Sequence, residues 1–469
     1  ELPANATLKY FDLEDLEEKT FLDHVSNFKI SEDGSAIIVR IKNSIRILST
    51  SKEVPKEESG KKGGWIDLTR IKISIDPILE WQQMLKEAWR LQKDYFWRED
   101  MSGVDWKRIL DKYYPLVERI SSRSEFSDLI WEMQGELGTS HAYELGGDYR
   151  PRPEYRMGFL GADLTYDPEK HTYKIFHVIG GDPWSEYAPP LKRPGTDAKV
   201  GDLLIAVNGQ KLSKEFSPEM ALVNMANQEV QLKIKSGEEI REISVKVIPD
   251  DTPLRYREWV EKNRRYVYEG TNNRVGYIHI PDMMAVGYAE FHRSFLAELD
   301  KEGLIVDVRF NSGGEVSQLL LEKLARKRIG YDLTRWMGAQ PYPTDSPYGP
   351  VVALTNEYAG SDGDIFSHAF KLMKIGKLIG RRTWGGVIGI WPRAWLVDGT
   401  ITTQPEMSFW FKDVGWGVEN YGTDPDIEVD MKPQDHAAEK DPQLDRAIEE
   451  IMKEITDHSP LKPFSEEKE

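Results

Sequence analysis

The chain contains no cysteine, which excludes disulfides, a thiolate nucleophile and cysteine-ligated zinc. Its nine histidines are scattered, and none falls in a His-Glu-x-x-His pattern, so a zinc peptidase has no support. No apolar run approaches the ~20 residues needed to span a bilayer. Basic residues are in deficit, 62 Lys and Arg against 79 Asp and Glu. The resulting net charge of −17 disfavours nucleic acid or an anionic membrane as partner. The sequence begins Glu1-Leu2-Pro3, with no initiator Met and no basic region ahead of an apolar stretch. A fragment or processed form without a secretory signal is therefore expected. A Gly-x-Ser-x-Gly motif is absent too.

What is present suffices for several cores. The chain has 469 residues, 39% of them hydrophobic, with 14 Trp and 20 Tyr. That length accommodates two to four domains at the usual ~100–200 residues each.

Residues 1–50 hold short alternating strands around an Asp33-Gly34 turn, about one propeller blade in length, and 51–64 read as a flexible linker of Lys, Glu, Gly and Ser. Residues 65–152 change to helical spacing. Asp76-Pro77 starts a helix whose apolar face is Ile78, Trp81, Leu85, Ala88, Trp89 and Tyr95. A second helix is expected around Trp106–Leu116 and a third over Ser124–Leu137, with Ser124 as N-cap. Residues 153–250 are largely β in character. Gly158–Ala162 and the strand and turn Gly201–Gly209 resemble a PDZ domain, which adds a peptide as an extra strand. Over 251–453 strands alternate with helices, the pattern of a mainly parallel sheet with covering helices. The charged residues 454–469 read as a flexible tail. The expected fold is thus multidomain α+β and α/β: a small helical subdomain, a PDZ-like β domain and an α/β domain, behind a partial propeller blade.

In parallel sheets, sites gather where strands end and helices begin. Val351–Thr355 leads through Asn356–Gly360 into Ser361-Asp362-Gly363-Asp364, which opens a helix. Ser361 can be a nucleophile there, with the Asp362 amide as one oxyanion donor, because a helix N-terminus favours developing negative charge. Alternatively, Ser361 or Asp362 simply caps the helix. A second junction, Leu304–Val308 into Asn311-Ser312-Gly313-Gly314, can present further amides or serve as an ordinary glycine-rich turn. His141, directly after Ser140, is a candidate base, but spacing leaves His279 and His368 as competitors.

The stretch from Glu80-Trp81 to Trp97, the Gly103-Val104-Asp105-Trp106 turn, Gly135–His141, the PDZ-like insert, Asn311–Gly314 and Gly360–Asp364 resemble, in that order, the tricorn protease family. The resemblance covers about residues 65–450. It implies a serine endopeptidase of peptides or unfolded chains, without cofactor or metal, with a tetrad in place of a triad. Ser361 matches the nucleophile, His141 the base, Ser140 a bridging serine and Glu419 the carboxylate that holds it. Gly314 and Asp362 match the oxyanion amides, with Gly313 the alternative to Gly314. Asp332 matches an acid in the primary specificity pocket, which implies Lys or Arg before the scissile bond. A cytoplasmic homohexamer without nucleic-acid or membrane partners is implied as well. The related carboxyl-terminal processing proteases use a lysine in a Thr-aromatic-Gly-Lys segment, where this chain reads Thr383-Trp384-Gly385-Gly386. Two alternatives remain: a non-catalytic peptide-binding module built on the PDZ-like domain, and a serine–lysine protease using another lysine, such as Lys371, Lys374 or Lys377.

Overall fold

The computed structural model describes residues 6–56, 60–181, 188–457 and 460–463. Parts of the expected blade (1–5), linker (57–59), PDZ-like segment (182–187) and tail (458–459 and 464–469) lie outside them. The chain divides into two units, Glu1–Glu80 and Trp81–Glu469.

In the first unit, Ala6–Asp12 pairs antiparallel with Glu17–Val25, and Asn27–Ile30, Ala36–Ile41 and Ser44–Ser49 form an antiparallel three-stranded sheet. Alternation puts Ile37, Val39 and Leu48 on one face, where they are buried with Val25. The end of the expected linker is tied down. Ile47 N donates to Gly64 O at 2.8 Å, and Arg46 Nε to Gly63 O at 2.6 Å.

In the second unit, five strands lie in the order Val275–His279, Gly303–Asp307, Val351–Thr355, Leu378–Gly380 and Ile427–Glu428, all parallel. The first four are buried throughout and largely apolar because both faces are covered. Ile278, Leu304, Val306, Val351 and Ala353 face the helices Ala285–Glu298, Ser317–Leu324 and Asp362–Leu372. Their neighbours Val275, Tyr277, Ile305, Val352 and Leu354 face Thr252–Gly270 and Pro442–Asp457. Neither of those last two helices is expected from the sequence pattern. The second also corrects the tail, since the helix continues to Asp457 and buries Ile455.

An antiparallel sheet follows in the order Glu239–Lys246, Glu229–Ser236, Leu203–Val207, Thr172–Val178 and Ala162–Asp167, with the short helix Pro218–Ala221. In the helical region, the Pro77–Tyr95 helix buries Trp81, Met84, Leu85, Ala88, Leu91 and Gln92, a face rotated away from Trp89 and Tyr95. The third helix is Arg123–Gly135, and its cap is Ser122 rather than Ser124. Ser122 and Glu125 form a capping box, which satisfies more of the free amides than a lone serine at 124.

Strand pairing, hydrogen bonds and ion pairs anchor the helical region to the later chain. Glu144–Leu145 pairs with Ile401–Thr402. Gln92 Nε2 donates to Thr403 O at 2.8 Å. Arg123 bridges Glu144 and Asp398 at 2.7 and 2.8 Å.

Candidate active site

Ser361 stands between the Val351–Thr355 strand and the Asp362–Leu372 helix with φ 56° and ψ −121°. A positive φ is strained for a residue with a Cβ, and a sharp strand-to-helix turn of this kind lifts the side chain off the sheet. Ser361 makes no side-chain cap bond. The Asp362 carboxylate is also engaged elsewhere, accepting from Ser317 N at 2.9 Å and from the Ser317 hydroxyl. Neither residue therefore spends its side chain on capping the helix, and Ser361 lines a cleft of ≈ 300 Å³.

The turn expected to supply amides lies against this serine. A Cβ on Gly313, whose φ is +84°, would come within 2.5 Å of Ser361 Cβ, so only glycine lets the two backbones approach this closely. Gly313 N donates to Asn311 Oδ1 at 2.9 Å. Gly314 is bridged to Met283 through its neighbours, with Met283 N donating to Gly313 O and Glu315 N to Met283 O. That pattern turns the Gly314 amide away from Met283, and of the two glycines it is Gly314 whose N–H is not taken by Asn311.

His141 lines the same cleft from the loop after the third helix. Its Nδ1 lies 2.7 Å from Ser140 Oγ, and Ser140 Oγ donates to Glu419 Oε2 at 3.1 Å. Glu419 accepts four further bonds: Ser140 N at 2.7 Å, Thr139 Oγ1 at 3.1 Å, Val387 N at 2.6 Å and Ile388 N at 3.2 Å. A carboxylate held by five donors is fixed in place. With Nδ1 engaged, Nε2 is the ring nitrogen left to exchange a proton. Burial pushes the His141 imidazole below its usual 6.5, while the Glu419 charge pulls the other way. The neutral imidazole is the form a general base requires. His141 O accepts from Thr403 Oγ1 at 2.5 Å, and Trp384 meets the ring edge-on at 5.5 Å between centroids.

The two competing histidines are occupied elsewhere. Buried His279 lies 3.0 Å from both the Tyr256 hydroxyl and Arg309 O. His368 lies 3.1 Å from Thr423 Oγ1 and from Asp413. Lys371, Lys374 and Lys377 do not line the cleft, and Lys371 Nζ bonds Asp424 O at 2.5 Å. At Gly386, where the processing proteases place lysine, a Cβ would lie 2.4 Å from the Trp384 ring and 2.8 Å from Ser140 Cβ. Ser140 and Trp384 fill the room a lysine would need. Asp332 is not brought into the cleft. It is exposed on the strand Gly330–Thr334, paired with Gln340 in a two-stranded sheet. Among the described residues, no three His, Asp or Glu gather as a metal would require.

Thr139, Thr403, Trp384 and Asn420, which donates to Gly138 O at 2.8 Å, also build the site. Sequence reasoning does not single them out, since their partners lie far away in the chain. Residues 77–135 match the Tricorn protease C1 domain, 158–250 the Tricorn protease PDZ domain and 274–429 peptidase family S41. The chain belongs to the tricorn protease family. It is 47% identical over 454 residues to a putative tricorn-like protease C-terminal subunit of Sulfurisphaera tokodaii, covering 96% of this chain and 52% of that protein. A tricorn protease homolog of Saccharolobus solfataricus is 47% identical over 449 residues, covering 96% of this chain and 42% of the relative. The crystal structure of the tricorn protease superposes with a TM-score of 0.88 at 39% identity, covering 97% of this chain and 44% of the other. The chain thus spans about half the length of the curated relatives it matches, in their tricorn C1, PDZ and S41 portion.

Proposed function

We propose that the chain is a serine endopeptidase acting on peptides or unfolded chains through an acyl-enzyme. One observation carries this reading: the relay His141 Nδ1–Ser140 Oγ–Glu419 opens onto the same cleft as Ser361, which caps nothing. In this scheme His141 Nε2 takes the Ser361 proton as Oγ attacks the scissile carbonyl. The tetrahedral oxyanion is held by the amides of Gly314 and Asp362, at the N-terminus of the Asp362–Leu372 helix. His141 then passes the proton to the leaving amine, and water repeats the sequence on the ester. Ser140 fixes the tautomer and relays the Glu419 charge to the imidazolium. The steric closure at Gly386 favours histidine over lysine as the base.

A preference for Lys or Arg before the scissile bond, through Asp332, belongs to the same proposal and rests on the family resemblance. So do the cytoplasmic setting, the homohexamer and the reading of residues 1–50 as a propeller blade. A fluorophosphonate adduct mapped to Ser361, with turnover abolished in Ser361→Ala, is the expected result. Labelling at another residue, or undiminished turnover in that variant, refutes the reading.

A further inference from the structure

The nucleophile and the base reach the cleft from distant parts of the chain, so their alignment depends on whatever joins the two. Asp364 makes such a joint. It is the third residue of the Asp362–Leu372 helix, where an acid ordinarily folds back onto its own helix end. Here the fully buried carboxylate also reaches across to the 383–386 segment. Oδ1 accepts from Gly385 N at 2.8 Å, Oδ2 accepts from Gly386 N at 3.3 Å, and the Thr383 hydroxyl is a further donor.

The clamped segment touches both halves of the site. Trp384 packs edge-on to His141 and so close to Gly360, just before the nucleophile, that a Cβ there would lie 2.9 Å from the ring. Gly386 abuts Ser140. The next two amides, Val387 and Ile388, bind Glu419, and Gly385 O accepts Asn420 N at 2.7 Å. The segment is therefore held at one end by the nucleophile helix and at the other by the carboxylate that orients Ser140.

We propose that Asp364 is a positioning residue for the reaction: its ionised carboxylate clamps the Trp384–Gly386 segment and thereby holds His141 in line with Ser361. This rests on the serine-peptidase reading above. The clamp needs the charge, because a neutral acid or amide turns one accepting oxygen into a donor that opposes a backbone N–H. Burial pushes Asp364 up to about 6, against the bonds from Thr383, Gly385, Gly386 and the Ser361 amide. No ion pair reaches it among the described residues. Among the described residues, the ionisable groups around the segment include His141, Tyr143, Glu419, Glu357, Arg381, Arg382, Tyr421, Asp424 and Glu428, together with Asp362, which turns to Ser317 on the neighbouring helix. Acidification therefore releases the clamp and also protonates His141, whose imidazole burial holds below its ordinary value, so two protonations act on one limb of the profile.

The test uses the whole chain and a neutral fluorogenic peptide. Asp364→Asn is expected to lower kcat by ~10-fold or more with KM within ~2-fold, as when one hydrogen bond to a charged group is lost. Wild type should show an acid limb of log kcat steeper than unit slope, and Asp364→Asn should return it to unit slope. The wild-type slope can be read even if the variant fails to fold. Trp384→Leu supplies a second arm: if both residues act through one segment, the double variant is little slower than the slower single variant. Unchanged kcat in Asp364→Asn, a unit slope in wild type, or additive losses would overturn the proposal. If Ser361→Ala is inactive while these results fail, only the clamp is refuted; if Ser361→Ala retains turnover, the peptidase reading itself falls.

Discussion

Replacing Ser140 by Ala removes one oxygen from the middle of the relay and leaves its two ends in place. His141 Nδ1 loses a partner at 2.7 Å, whereas Glu419 keeps Ser140 N, Thr139 Oγ1 and the amides of Val387 and Ile388. The fold is therefore expected to survive, and the loss is that of one hydrogen bond coupled to a charge, ~1.5–3 kcal/mol. At about 1.4 kcal/mol per tenfold this is a fall in kcat of roughly 10- to 150-fold. It should be smaller than the ~10⁴-fold loss when a carboxylate bonded directly to the imidazole is neutralised, because Glu419 acts on His141 only through the serine. Steady-state kcat with a fluorogenic peptide, alongside an active-site titration to count competent enzyme, measures it. A change under ~3-fold would show that His141 is held without Ser140, and the relay would be refuted.

Three further outcomes follow from the same geometry. Glu419→Gln removes the charge that opposes burial at His141, so the imidazole pKa falls further and the His141 part of the acid limb of kcat/KM moves to lower pH, while the plateau drops; a limb that moves upward contradicts the assigned electrostatics. Gly313→Ala places a methyl 2.5 Å from Ser361 Cβ at a φ of +84°, and displacement of the nucleophile by about an ångström should cost on the order of 100-fold in kcat/KM; normal kinetics would exclude that close approach. Arg123→Met strands the Glu144 and Asp398 carboxylates, whose side chains are 2% and 5% exposed, and should destabilise by ~3–5 kcal/mol in denaturant unfolding; an unchanged midpoint would mean that the bridge is not closed in solution.

Much of this chain is legible in its local pattern. The apolar runs at 304–308 and 351–355 mark buried parallel strands, and the glycines at 313–314 and the serine at 361 mark two strand-to-helix junctions. These features depend on residues within a few positions of one another, which is why spacing reveals them. The cap of the third helix is local too, but Ser122 and Ser124 compete for it, and only the reciprocal bond of Glu125 decides between them.

Tertiary structure decided what depends on distant partners. Residues 140 and 419 are 279 positions apart, so nothing near Glu419 in the sequence distinguishes it from a surface acid; the family resemblance, not its neighbours, singles it out. The same holds for Asp364, which local pattern would read as a helix-end acid and the fold turns toward Gly385 and Gly386. Asp332 is exposed on a hairpin strand outside the cleft, so the pocket assigned to it rests on the resemblance alone. Sequence by itself determined which residues carry usable chemistry and where the backbone turns, because these follow from side-chain type and short-range sterics. Which of three histidines faces Ser361, and whether Ser361 caps its helix or stays free, was left to the folded chain, because hydrogen bonds are made to neighbours in space.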